Sequence, residues 1–184
     1  MTARTVRRQA GTDTTHETTE VPTMTQSAPQ ERTLEERVRA IEDRTAIIDL
    51  LCRYAVGIDR RLWDDFASCF AEEVDLSVIR TRGAWVRWTR ADLVARLRTV
   101  FESYTATQHL SANHQVEVDG DAAVAWSTLN ATHYLRGAPG GELQQQVGSY
   151  EHRLVRTDGW RIASVRQVEH WQHGNQQIFE RTVT

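Results

Sequence analysis

The chain changes its hydrophobic period once, and that change divides it in two. From Leu34 to Tyr104 apolar residues recur at steps of three and four, and from there to about residue 171 they alternate. The first spacing marks amphipathic helices and the second half-buried strands. Helices followed by a long run of strands is the order of an α+β domain, a sheet with helices packed on one face. Leu34, Val38, Ile41, Thr45, Ile48, Cys52 and Ala55, widened by Ile47, Leu51 and Tyr54, predict a first helix of roughly six turns. It starts near Thr33, where Glu36 completes a capping box, and Gly57 is its expected end. A shorter helix is expected at 63–70, with Trp63, Phe66 and Phe70 on one side. Thr89 and Asp92 open a third, which carries Leu93, Leu97, Val100, Phe101 and Tyr104 inward.

Four long strands are predicted at 106–118, 122–136, 143–156 and 159–171, joined by the glycine-bearing turns "DGD", "GAPGG" and "TDG". Shorter strands are expected at 74–79 and 84–88. Long strands, few prolines and three helices predict a curved, mixed or antiparallel sheet that wraps into a cone around an interior pocket. Residues 1–33 hold ten threonines, Pro22 and Pro29, and no aromatic, Leu or Ile. Such a segment cannot bury enough apolar surface to offset its ordering entropy, so a disordered tail is expected before a domain spanning 34–184.

Composition narrows the function classes. A net charge of -3 with 26% charged residues leaves no nucleic-acid footprint. No apolar run approaches the roughly 20 residues of a membrane span, and the arginines at positions 4, 7 and 8 precede no apolar stretch of a secretory signal. Cys52 and Cys69 lie in apolar helical surroundings and read as buried thiols, which suits a reducing cytoplasm.

The strands carry an unusual polar load: His109, Asn113, Asn130, His133, the run Gln144-Gln145-Gln146, Tyr150, His152 and Glu169. Buried without partners, such groups cost about 1–3 kcal/mol each, so some face water and the rest face a site. On the first long strand His109, Ser111 and Asn113 share one face, and Leu110, Ala112 and His114 the other. A three-residue turn at Asp119 to Asp121 puts His109 opposite Ala131 and His133 on the face of His109. A two-residue turn puts His133 on the opposite face. Asp59, just past the first helix where the chain turns over the mouth of the cone, could orient such a histidine and stabilise its protonated form, making a general base. Metal-ligand spacings, a phosphate-binding glycine loop and a nucleophile elbow are all missing from the sequence, so a cofactor-free site is expected.

Three stretches, "AIIDLLCRYAVGIDRRLWDDFASCFAEEVDL", "TQHLSANHQVEVDGDAAV" and "GSYEHRLVRTDGWRIASVRQ", resemble the SnoaL-like branch of the NTF2-like superfamily over about residues 34–172. The resemblance implies a cone-shaped α+β barrel, a deep pocket and a homodimer or homotrimer. The pattern is most similar to the cofactor-independent scytalone dehydratases, bile-acid 7α-dehydratases and lindane dehydrochlorinases. It implies Asp59 and His109 as the catalytic pair, with Tyr54 and His133 assisting. The tyrosine that scytalone dehydratases carry beside the aspartate is replaced by Ile58. Tyr54, Tyr104, Tyr134 and Tyr150 are the substitutes at hand, and Tyr104, Tyr150, Asn113 and Trp126 are the expected substrate-binding residues. The expected activity is a lyase acting on a small, mostly apolar, oxygenated metabolite. Alternatives are a polyketide or epoxide cyclase or an isomerase using the same residues, or a noncatalytic binding subunit with its pocket filled by Trp85, Trp88 or Trp126.

Overall fold

The computed structural model describes residues 32–78 and 81–180; the expected tail lies almost wholly outside them. Helix α1 (Leu34–Arg60) opens as its sequence predicts. The Glu36 N–H donates to the Thr33 hydroxyl, and the Thr33 N–H donates to the Glu36 carboxylate. Its buried face differs from the expected stripe. Leu34, Val38, Ile41 and Cys52 are exposed, and the interior seam runs Asp43, Ile47, Leu50, Leu51, Ala55, Ile58. A carboxylate can hold the interior position because it is fully partnered: Arg156 Nη2 lies 2.7 Å and Trp160 Nε1 3.2 Å from Asp43.

Gly57 does not end the helix. A Cβ there would sit 3.0 Å from Phe66, so glycine is what lets α2 (Trp63–Ser68) pack directly on α1. The end comes at Arg61, in the left-handed region with φ 58°. Its guanidinium donates to the carbonyls of Asp59, Phe101 and Tyr104 at 2.9–3.0 Å, tying the helix end to the end of α3 (Arg90–Glu102). Helix α2 stops at Ser68 because Phe70 already begins β1 (Phe70–Ser77). The remaining strands are β2 (Val86–Thr89), β3 (Ala106–Asp119), β4 (Ala122–Tyr134), β5 (Leu143–Arg156) and β6 (Trp160–Gly174), followed by a short helix α4 (Gln176–Glu180) that the sequence pattern did not predict.

The six strands form one mixed sheet in the order β2-β1-β6-β5-β4-β3. Strand β1 runs parallel to β6 and all other neighbours are antiparallel. The α+β expectation therefore holds, with β3 as an edge strand against which α1 packs. Inward-facing residues alternate along β4 as Ala123, Ala125, Ser127, Leu129, Ala131 and His133, all buried. Against them lie Ile47, Leu50, Leu51 and Ile58 of α1, Leu93, Val100 and Phe101 of α3, and Ile178 of α4. Each such side chain contributes about 1.5–3 kcal/mol on burial.

The β3–β4 hairpin resolves the register in an unexpected way. Asp119 pairs with Ala122, so the turn holds two residues, yet His109 still pairs with Ala131. Between Ala112 and Gln115 the register shifts by one, because Asn113 adopts φ 57° and forms a bulge. Asparagine tolerates that left-handed conformation. The bulge restores the parity that a two-residue turn would have reversed. It also moves His114 onto the face of His109 and Ser111, correcting the expected grouping, and leaves Asn113 exposed.

Candidate active site

Asp59 lies in the last turn of α1, where the Arg61 clasp points it at the open edge of β3. An edge strand presents N–H groups with no strand to accept them. Asp59 fills that need at one place. Its Oδ2 accepts from the His109 backbone N–H at 2.6 Å, and its Oδ1 accepts from the Thr107 hydroxyl at 2.9 Å and meets His109 Nδ1 at 2.7 Å. Burial alone would raise the carboxyl's pKa. The hydrogen bond and charge of the His109 ring, with the His109 N–H and the Thr107 hydroxyl, outweigh that and hold it below the ordinary carboxylate value. An ionised carboxylate only accepts, so the His109 proton sits on Nδ1 and the Nε2 lone pair faces away from Asp59.

The His109 side chain is 7% exposed. Its ring lies 5.5 Å from Phe101 and, edge-on, 5.8 Å from His133. His133 is also fixed in orientation: Nδ1 lies 2.8 Å from Gln144 Oε1, while Gln144 Nε2 donates to the Gln145 carbonyl and to Gln172 Oε1. With its amide nitrogen so committed, Gln144 presents oxygen to His133, which places the His133 proton on Nδ1 and leaves Nε2 an acceptor when the ring is neutral.

A cavity of about 330 Å³ opens beside these rings. Ile58, Leu76, Trp88, Leu93, Leu97 and Phe101 give it apolar walls, while Tyr54, His133, Gln146, Tyr150 and Gln167 supply polar groups. The Tyr54 and Tyr150 rings stand edge to face with centroids 6.3 Å apart, and burial pushes the Tyr54 phenol up to about 12 and that of Tyr150 well above its usual value. Both therefore stay neutral donors at any ordinary pH. Of the eight sequence-predicted residues, Tyr54, His133 and Tyr150 line the cavity. Asp59 and His109 lie directly behind Phe101 and His133 and are not themselves lining.

Three binding expectations need correction. Tyr104 is buried against His133, with ring centroids 4.8 Å apart, rather than on the cavity wall. Asn113 is exposed at the bulge, and Trp126 is half-buried on the sheet face opposite His133. Trp88 lines the cavity instead, with the Arg96 guanidinium 5.5 Å above its ring. Gln144 and Gln146 were also not singled out as site residues, although alternation through the glutamine run puts both on one face and Gln145 on the other. Cys69 is buried as expected. Among the described residues no group of three or more His, Cys, Asp or Glu could hold a metal ion, and no helix is long and apolar enough to cross a membrane.

The profile of the SnoaL-like domain family matches residues 39–166. Among solved structures, the Kfla4162 protein from Kribbella flavida is 29% identical; the match covers 77% of this chain and 99% of that one, with a TM-score of 0.72. A candidate scytalone dehydratase from Novosphingobium aromaticivorans is 19% identical over 76% of this chain and 91% of its own, with a TM-score of 0.65. A hexachlorocyclohexane dehydrochlorinase from Novosphingobium barchaimii is 19% identical over 76% and 94%, with a TM-score of 0.62. At that identity the last two likenesses speak to the fold alone. No curated protein matches the chain. With the NTF2-like cone, its helices and its strand order in place, the chain belongs to the SnoaL-like domain family.

Proposed function

We propose that this protein is a cofactor-independent lyase of the dehydratase type, acting on a small, largely apolar metabolite that bears a carbonyl and a hydroxyl group. One observation carries the reading: a carboxylate held ionised at 2.7 Å from His109 Nδ1, in a nearly closed interior. His109 Nε2 takes the proton from the carbon beside the carbonyl, and Asp59 stabilises the imidazolium that results. The C–H electron pair forms the new double bond as the hydroxyl on the next carbon leaves. The imidazolium returns its proton to that hydroxyl, and water departs. Tyr54, kept neutral by burial, donates to developing charge, and a donor so placed lowers a barrier by roughly 3–4 kcal/mol. His133, whose ring lines the cavity, contacts the substrate.

The fold neighbours named as a dehydratase and a dehydrochlorinase support this class of chemistry for the scaffold. The test uses 3-hydroxy-1-indanone, which eliminates to indenone and water. Mass loss of one water with wild-type protein, reduced about 100-fold or more in His109→Ala and Asp59→Asn, is the expected result. A mass-conserving product indicates cyclisation or isomerisation instead, and full turnover by folded variants removes the pair from the chemistry.

A further inference from the structure

Gln146 is only 3% exposed and lines the cavity, yet among the described residues no group accepts a hydrogen bond from its Nε2. Its neighbours in the same run are committed. Gln144 bonds His133, Gln145 and Gln172, and Gln145 Nε2 donates to Asn130 Oδ1 at 2.9 Å. A buried donor without an acceptor costs about 1–3 kcal/mol. An apolar side chain would avoid that cost here, because the residue opposite on β4 is Ala131 and Ile58, Leu76, Leu93 and Phe101 line the same cavity. Among the described residues His152 also lacks a hydrogen-bond partner at both ring nitrogens, but it is not among this cavity's lining residues.

We infer that Gln146 Nε2 binds the carbonyl oxygen of the substrate, so that the ligand is a compact, mostly apolar ketone or related carbonyl compound with its oxygen turned toward β5. His133 serves this oxygen less well. A ketone oxygen only accepts, and when the His133 ring is neutral, with its proton on Nδ1 toward Gln144, Nε2 accepts too. A volume of about 330 Å³ lies at the small end of ligand sites, which run from roughly 300 to 1,000 Å³, and suits one or two rings. The assignment rests on the proton-abstraction reading and deepens it. Removing a proton beside the carbonyl sends its electron pair onto the oxygen, and the amide N–H then donates to an atom gaining charge.

The probes are 1-indanone and indane, which share a ring system and differ by the oxygen. Dissociation constants are measured by ligand-observed NMR for wild type, Gln146→Leu and the isosteric Gln146→Met, with melting curves to show that each is folded. The ratio of the indane to the 1-indanone constant is expected to fall about tenfold in both variants through lost ketone affinity, with indane affinity kept. A ratio unchanged in the folded variants, or a wild type that binds neither probe, overturns the assignment. Asp59→Asn and His109→Ala keep the wild-type ratio, because they alter the proton's destination and not the oxygen's partner. Loss of the lyase reading is therefore seen as a preserved ratio without elimination, and loss of the Gln146 assignment as elimination without a changed ratio.

Discussion

His109 and His152 both sit on the inner face of one sheet, and their surroundings differ. His109 has a carboxylate on Nδ1; among the described residues His152 has no hydrogen-bond partner at either nitrogen. Loss of hydration, with the nearby His114 adding to it, pushes the His152 pKa down to about 3, against 6.5 when exposed. Between those values the unfolded chain carries a proton that the folded chain refuses, so stability falls as pH falls through that window and is unaffected above it. His152→Leu is expected to remove this loss: its urea midpoint should change less than the wild type's between about pH 7 and pH 4. Parallel curves for the two proteins would contradict the burial argument. Both histidines stand out in the sequence by strand alternation, and family resemblance marks His109. What separates them, a carboxylate 50 residues away in one case and none in the other, is tertiary and leaves no local trace.

At the scale of the element, the β3 bulge decides which side chains face the interior. The turn "DGD" is compatible with two or three residues, and each choice predicts a different face for His133. The protein takes the shorter turn and corrects its parity at Asn113, where the sequence offers no glycine to signal it. Helix boundaries were more legible: Thr33 with Glu36 and Thr89 with Asp92 begin helices where their spacing says they should. Gly57 misled because its role is contact with Phe66 and not termination. The bulge can be tested directly. Asn113→Val forces a β-branched residue into the left-handed region and should cost about 1–2 kcal/mol, measured by chemical denaturation, while Asn113→Gly should be close to neutral. Equal stability of the two variants would mean that the bulge carries no conformational strain for larger residues.

Over the whole molecule, the first helix and the last hairpin are joined by one polar cluster. Asp43 accepts from Arg156 and Trp160, Arg156 also reaches Asp121 at 3.0 Å, and its guanidinium lies 4.2 Å above the Trp160 ring. These contacts link residues 113 and 117 positions apart. Asp43→Ala leaves the Trp160 indole N–H without its acceptor and the partly buried Arg156 with Asp121 alone, and should lower unfolding free energy by about 2 kcal/mol. A loss below about 0.5 kcal/mol would show the cluster to be a surface ion pair in energetic terms. The order of elements and the inward faces of α3 and β4 could be read from periodicity, because burial imposes it on every turn and every second residue. The rotation of α1 could not, since it depends on a charged residue finding its partners across the fold. Neither could the cavity wall, where Trp88 and Gln146 enter from separate strands.

The central claim is that His109, held by Asp59, removes a proton from a carbon beside a carbonyl. Exchange of the α-protons of 1-indanone in D₂O, followed by NMR, measures that step without requiring the natural substrate. Wild-type protein should accelerate the exchange, and Asp59→Asn and His109→Ala should each lose about 100-fold or more of that acceleration while remaining folded. Exchange in both folded variants as fast as in wild type would contradict the account.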